Sequence, residues 1–368
     1  MELTPKSPTC RAQRPPMNDR SRLAVAVVGV GNMGRHHARI YHGMAETKLK
    51  AVVDMDERKA AEAAYRYECA AYTSVEQMLA EDPEIDAVSV AVSTSRHYAV
   101  ASRLLEAGKH VLVEKPVAAT IPQAKRLVAL AERSRCTLAV GHVERFNPVV
   151  RELKARIAKG DVGQLVSLTA RRLGLAPPQV KDANVVLDIA VHDIDVFRYL
   201  LGANRPQQVF CSAGHALADD RYDFADIFIQ FGDVACLLQV NWITPVKIRS
   251  LTASGTQGYV ELDYVTQRMD FYHAQPPREP ASFQELETYN RVLPERIEFE
   301  RAEPLALEIR EFIRHATGTP SEIVSGEDAI VSLEIVQEIL AVAERNREAT
   351  PREPRRTKNS KEVNPAVV

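Results

Sequence analysis

Residues 23–54, LAVAVVGVGNMGRHHARIYHGMAETKLKAVVD, restrict this chain more than any other stretch. Leu23–Val28 is an unbroken apolar run, the pattern of a strand buried on both faces in a parallel sheet. Gly29, Gly31 and Gly34 follow at G-x-G-x-x-G spacing, then a helical stretch, then a second strand, LKAVVD, that ends at Asp54, twenty residues after Gly34. The glycines permit a tight turn and let backbone approach a pyrophosphate. The helix N-terminus faces the phosphates, and the acid accepts hydrogen bonds from a ribose diol. The glycine spacing alone is often just a turn, but strand, glycines, helix, strand and acid in this order form a dinucleotide-binding unit. Gly29, Gly31, Asn32, Met33, Gly34 and Asp54 are therefore the candidate cofactor-binding residues. Asp54 would repel a 2′-phosphate, so NAD is expected; Arg58, close by, keeps NADP as the alternative.

The alternation continues. IDAVSVAV (85–92), KHVLVEKP (109–116) and CTLAVGH (136–142) read as buried strands, with helices at about His97–Ala107 and 120–134 between them. This is a doubly wound parallel sheet, and ligands bind such sheets at the carboxyl ends of the strands. Lys115, in Glu114-Lys115-Pro116, lies just beyond such an end; the competing reading is a solvated loop lysine. The texture changes after residue 142. A helix at Pro148–Lys159 leads to period-two strands (QLVSLTAR, DFADIFIQF, VACLLQVNWI, KIRSLTAS, YVELDYV, RMDFYHA), and helices at Pro304–Ala316 and Glu327–Arg345 close the body. The expected fold class is α/β: an N-terminal Rossmann doubly wound parallel sheet plus a C-terminal α+β domain with a large, mostly antiparallel sheet. The expected divisions are a disordered tail at 1–22, an NAD-binding domain at 23–142, a substrate and oligomerisation domain at 143–346, and a disordered tail at 347–368. Met17 is a candidate start residue. The broad sheet is expected to pack against a second copy, in a homodimer or homotetramer.

A formal net charge of −2 gives no reason to expect nucleic acid as a partner. No apolar run approaches the roughly 18 residues of a membrane span, so no membrane is expected. The five cysteines are scattered without a C-x-x-C pair, which argues against zinc or a disulfide framework and fits a cytoplasmic location.

LDIAVHDIDVFRYL (187–200) places charges in an apolar helix. Asp188, His192, Asp195 and Tyr199 fall at i, i+4, i+7 and i+11, one polar stripe beside an apolar stripe of Ala190, Ile194, Phe197 and Leu201. The bland reading is a satisfied histidine and an acid on the helix dipole. Four aligned polar groups favour a site. Two ligands one turn apart do not make a metal centre, and none is expected.

Together, the glycine turn, Glu114-Lys115-Pro116 and Asp188-x-x-x-His192-x-x-Asp195 resemble the glucose–fructose oxidoreductase, inositol dehydrogenase and MocA family, over roughly residues 22–345. The chain departs from the pattern at Ala190, where many members have Gly, in AVSTSRH, which lacks a common Pro, and in DANVV, which replaces a Gly-rich run. The resemblance implies an NAD-dependent dehydrogenase with Lys115 and His192 in the active site. It adds Ser93, His97, Glu114 and Lys115 to the cofactor-binding set. GHVERFNP (141–148), TARRLGLAP (169–177) and the 187–202 segment are similar to the UDP-N-acetylglucosamine 3-dehydrogenase branch. That implies oxidation of the sugar C3 hydroxyl to a ketone and hand-off to a pyridoxal-phosphate (PLP) aminotransferase that makes a 3-amino sugar, as for diamino-sugar lipid A.

The residues bear on this independently. A UDP-sugar pyrophosphate needs cations, and Arg145, Arg171, Arg172 and Lys181 offer them, with a solvated strand edge as the alternative. Asn147 either donates to a sugar oxygen or caps the next helix. The substrate-binding set is Arg145, Asn147, Arg172, Asp188 and His192. Alcohol oxidation needs a base that works near neutrality. His192 is the expected base, with Asp188 orienting it and Lys115 polarising the developing alkoxide; the reverse assignment, Lys115 as base, is the close alternative. Other readings are an NAD enzyme acting on a free polyol such as inositol, and a non-catalytic sensor of the same fold.

Overall fold

A computed structural model describes residues 22–175 and 183–349, apart from 204, 219, 275–281 and 285–291. Lys181, Met17 and most of both expected tails lie outside the described residues; residues 347–349 end a helix. The chain forms two compact units. Among the described residues the first comprises those up to 146 and 302–330, the second those of 147–301 and 331–349.

The first unit is a six-stranded sheet of β1 (Leu23–Val28), β2 (Thr47–Val53), β3 (Ala70–Tyr72), β4 (Ala87–Val90), β5 (His110–Glu114) and β6 (Leu138–Gly141). The strands are all parallel, in the order β3-β2-β1-β4-β5-β6. The order reverses between β1 and β4, the switch point at which such sheets bind ligands. Helices α1 (Gly34–Gly43), α2 (Glu57–Tyr67), α3 (Val75–Glu81), α4 (Thr94–Glu106) and α5 (Ile121–Ser134) connect the strands. The expected boundary at 142/143 does not describe this unit fully. Leu305, Ile309, Phe312 and Ile313 of the helix Pro304–Ala316 pack into the same core as Val25, Val27, Tyr41 and Leu112, so the late helix joins the early sheet. Each such side chain contributes about 1.5–3 kcal/mol through burial.

The second unit carries eight strands: β7 (Leu165–Leu175), β8 (Gln208–Gly214), β9 (Phe224–Phe231), β10 (Val234–Asn241), β11 (Ile243–Gly255), β12 (Gly258–Asp263), β13 (Arg268–His273) and β14 (Glu295–Ile297). Their order is β14-β13-β12-β11-β7-β10-β9-β8. Every pairing is antiparallel except β10 with β7. Alternate residues such as Leu168, Ala170, Ile227, Ile229 and Leu238 pack against α6 (Pro148–Lys159), α7 (Val191–Leu201) and Ile335, Val336 and Ile339. On other positions of the strands Val166, Phe210 and Leu237 stay exposed. α6 begins and ends as its sequence predicts. Asn147 caps it, Pro148 occupies the first turn, and Gly160 follows at φ +83°.

No helix among the described residues is long and apolar enough to cross a membrane.

Candidate active site

A cavity of about 460 Å³ lies at the carboxyl ends of β1, β2 and β4, lined by Gly29, Gly31, Asp54, Thr73, Val92 and Ser93 among others. Gly29 adopts φ +87°, and a Cβ there would sit 2.7 Å from the Ala91 carbonyl oxygen. A Cβ on Gly34 would meet the Gly29 oxygen at 1.7 Å, so the start of α1 touches the turn backbone directly. Gly31 has nothing within 4 Å of its Cβ position and leaves the approach open. Asp54 holds the turn from below. Its Oδ2 accepts the Val30 N–H at 3.0 Å and its Oδ1 the Asp56 N–H at 3.0 Å, while the residue still lines the cavity. Asn32 is exposed and accepts from Arg35 Nη2 at 3.0 Å; Met33 is the residue before α1 and packs against the core. These residues fit a dinucleotide: an open glycine turn at a helix start, with an acid at the rim for a ribose.

Two expected cofactor residues sit differently. His97 is 1% exposed and turned away from the cavity. Its Nδ1 lies 2.7 Å from the Pro116 oxygen and its Nε2 3.1 Å from the Val92 oxygen. Burial holds its pKa below the usual histidine value despite those two carbonyls, and a neutral ring donates to one of them. Glu114 is also buried. It faces His37, whose Nε2 is 3.0 Å from Glu114 Oε1. Ser93 is exposed at the N-cap of α4 and lines the cavity. Lys115 is half-buried just beyond β5, and its bond to Pro116 is cis.

In the second unit the segment at 186–201 is not one regular helix. Val186–Ala190 form a π turn, capped by Asn184 Oδ1 accepting from the Val186 and Leu187 N–H groups, and α7 follows. Asp188 lies in the π turn and His192, Asp195 and Tyr199 in α7; Asp195 is buried while the other three are half-buried, so the expected four-residue stripe is broken at Asp195. Asp195 is 1% exposed; its Oδ1 accepts from Ser332 Oγ at 3.0 Å and lies 3.8 Å from Arg198. Asp193 is fully buried against Arg172. Of the ionisable groups on α7, Asp193, Asp195 and Arg198 turn inward, whereas His192 and Tyr199 reach the surface of the unit. Asp188, in the π turn one turn earlier, is half-buried. This resolves the charges in an apolar helix: three are paired in the core, and His192 and Asp188 are half-buried.

The expected cation cluster is also redistributed. Arg172 is 5% exposed, and its Nε and Nη2 lie 2.5 and 3.1 Å from the Asp193 oxygens, so its fork is taken up by that carboxylate. Arg145 belongs to the first unit and pairs with Asp328. Asn147 is buried; its Nδ2 donates to the Tyr264 oxygen at 3.1 Å while its Oδ1 caps α6, the second of the two roles expected for it. Arg171 remains exposed on β7. Among the described residues no group of three His, Cys, Asp or Glu could hold a metal ion.

Residues 23–142 match the model of an oxidoreductase family with an NAD-binding Rossmann fold, and residues 150–261 match the GFO/IDH/MocA C-terminal domain. The chain belongs to the GFO/IDH/MocA oxidoreductase family. As a family member it is an NAD-dependent oxidoreductase. It is similar to a UDP-N-acetylglucosamine 3-dehydrogenase of Acidithiobacillus ferrooxidans, 30% identical over 292 residues, 79% of this chain and 88% of that one. The solved structure of that organism's enzyme superposes with a TM-score of 0.76 at 27% identity, covering 88% of this chain and 98% of that one. An inositol 2-dehydrogenase of Saccharopolyspora erythraea is 35% identical over 196 residues, 52% of this chain and 57% of that one. A levoglucosan dehydrogenase in complex with NADH and levoglucosan shares the fold, at TM-score 0.76 and 22% identity over 88% of this chain and 98% of that one.

Proposed function

We propose that this family member oxidises the C3 hydroxyl of UDP-N-acetylglucosamine to a ketone and supplies the 3-keto sugar to a PLP aminotransferase. The observation that carries this reading is the extent of the likeness. The match to the A. ferrooxidans 3-dehydrogenase covers 88% of that protein and runs through both units, whereas the match to the inositol dehydrogenase covers 57% of its length.

His192 takes the hydroxyl proton as the C3–O bond becomes a carbonyl, and Asp188, one turn earlier, orients the ring. Lys115 polarises the oxygen as charge develops. NAD⁺, held by the glycine turn, would supply the acceptor for the hydride from C3. The glycine turn and Asp54 hold the dinucleotide. Replacing Lys115 by Met or His192 by Asn is expected to lower kcat by about 100-fold or more, with NAD affinity within about threefold of the parent. Equal losses in kcat and NAD affinity would sink the assignment.

The inositol dehydrogenase match, at 35% identity, favours a second reading: oxidation of a free polyol. NADH absorbance after mixing the protein with NAD⁺ and UDP-N-acetylglucosamine separates the two. The cognate aminotransferase and glutamate are included to draw off the ketone. NADH formation that His192→Asn abolishes supports the proposal. Turnover with inositol instead keeps the site and overturns the substrate. Tight NAD binding without turnover of any sugar moves the sensor reading to first place.

A further inference from the structure

A run of polar side chains is buried in the first unit and ends on Lys115. Tyr41 Oη lies 2.8 Å from Ser89 Oγ, and Ser89 Oγ lies 3.0 Å from His37 Nδ1. His37 Nε2 is 3.0 Å from Glu114 Oε1, and Glu114 Oε2 accepts the Lys115 N–H at 3.3 Å. The four come from α1, β4 and β5, and none is more than 9% exposed.

One donor can be assigned. Burial works to raise the Glu114 pKa, but the hydrogen bond and charge of His37, with Lys115 and His97, hold it below the usual carboxylate range. An ionised carboxylate only accepts, so His37 donates from Nε2. On its other side Nδ1 is tethered to Ser89 Oγ, which also meets the Tyr41 hydroxyl. Proton conduction does not suit this chain, because its far end is closed. Tyr41 is 0% exposed, and burial pushes its pKa up. Glu114 is also confined on its other side: a Cβ on Gly141 would come within 3.1 Å of Oε2.

We propose that His37 is a positioning residue for Lys115: it fixes the Glu114 carboxylate, which in turn holds the Lys115 backbone at the end of β5. His37 acts only through Glu114. The catalytic consequence rests on the reading of Lys115 as an active-site group; the structural one does not.

The test compares His37→Gln with His37→Asn in the full chain. Both place an amide in the same buried site, but only the glutamine nitrogen reaches the position of Nε2. Two readouts are taken: steady-state kinetics with NAD binding, and hydrogen exchange of the Lys115 amide in ¹⁵N-lysine-labelled protein. His37→Asn is expected to lower kcat about 10- to 100-fold with KM and NAD affinity within about threefold, since small misplacements of a reacting group carry costs of this size. Its Lys115 amide exchanges roughly tenfold faster, as the hydrogen bond to the carboxylate is lost. His37→Gln stays near the parent in both. Equal impairment of the two variants, or a Lys115 amide unchanged in His37→Asn, overturns the proposal. If the parent does not turn over UDP-N-acetylglucosamine, the substrate reading fails while the amide exchange still decides this one. Should His37→Asn not fold, Ser89→Ala removes the tether on Nδ1 together with the bond to Tyr41 Oη. Faster Lys115 exchange then supports the proposal, and unchanged exchange overturns it.

Discussion

Arg172→Ala separates a structural arginine from a substrate-binding one. The Arg172 and Asp193 side chains are 6% and 0% exposed. Two nitrogens of one meet two oxygens of the other, Tyr264 Oη donates to Asp193 Oδ1 at 3.0 Å, and the guanidinium lies 4.9 Å from the Tyr264 ring centre. Removing the arginine leaves a buried carboxylate with the tyrosine hydroxyl. Breaking a buried pair from one side costs about 3–5 kcal/mol. At roughly 2–4 °C per kcal/mol, melting falls by about 6–20 °C. Differential scanning fluorimetry measures it. The double variant Arg172→Met/Asp193→Leu, which buries no lone charge, is expected to lose less than Arg172→Ala alone. A variant Arg172→Ala that melts within about 2 °C of the parent yet raises KM for the sugar nucleotide would refute this and return Arg172 to the substrate.

Asp54→Ala removes the acceptor of the Val30 N–H as well as the expected ribose contact. NAD affinity should fall about 10- to 100-fold by calorimetry, the size of one or two charge-assisted bonds, and an unchanged affinity would refute Asp54 as the rim acid. Asp223 is held by the N–H groups of Ala216, Leu217 and Ala218 at 2.6, 2.5 and 2.7 Å. Burial works against its charge, but these bonds outweigh it and depress the pKa. A depressed carboxylate stabilises fully above its unfolded value of about 4 and loses that contribution as pH falls through the lower folded value. Asp223→Asn should therefore melt lower at neutral pH and show a shallower acid limb; parallel curves of melting temperature against pH would contradict this.

Much of the first unit is legible in the sequence because parallel strands buried on both faces leave apolar runs that punctuation by glycine and proline delimits. β1 and the helices Pro148–Lys159 and Pro304–Ala316 appear at their expected bounds. β3 and β8 are not apparent from the sequence, since three residues in one case and a half-exposed pattern in the other give no clear period. The discontinuous first unit depends on where Leu305 and Phe312 pack, which local pattern does not encode. At the site, the glycine turn is readable because backbone geometry demands glycine at positions 29 and 34. The polar stripe is misread because the partners of Asp193 and Asp195, Arg172 and Ser332, lie 21 and 137 residues away. His37 escapes notice as one polar residue on the buried side of α1; its signal is its place three residues after Gly34 among Ala38, Ile40 and Tyr41.

The central claim is that hydride leaves C3 of UDP-N-acetylglucosamine, and the label in the reduced cofactor tests it most directly. The protein is incubated with NAD⁺ and the sugar nucleotide deuterated at C3, and the products are read by mass spectrometry. Deuterium in the NADH, with none lost from a substrate labelled elsewhere on the ring, is the predicted result. Deuterium retained in the sugar while NADH forms would contradict the account.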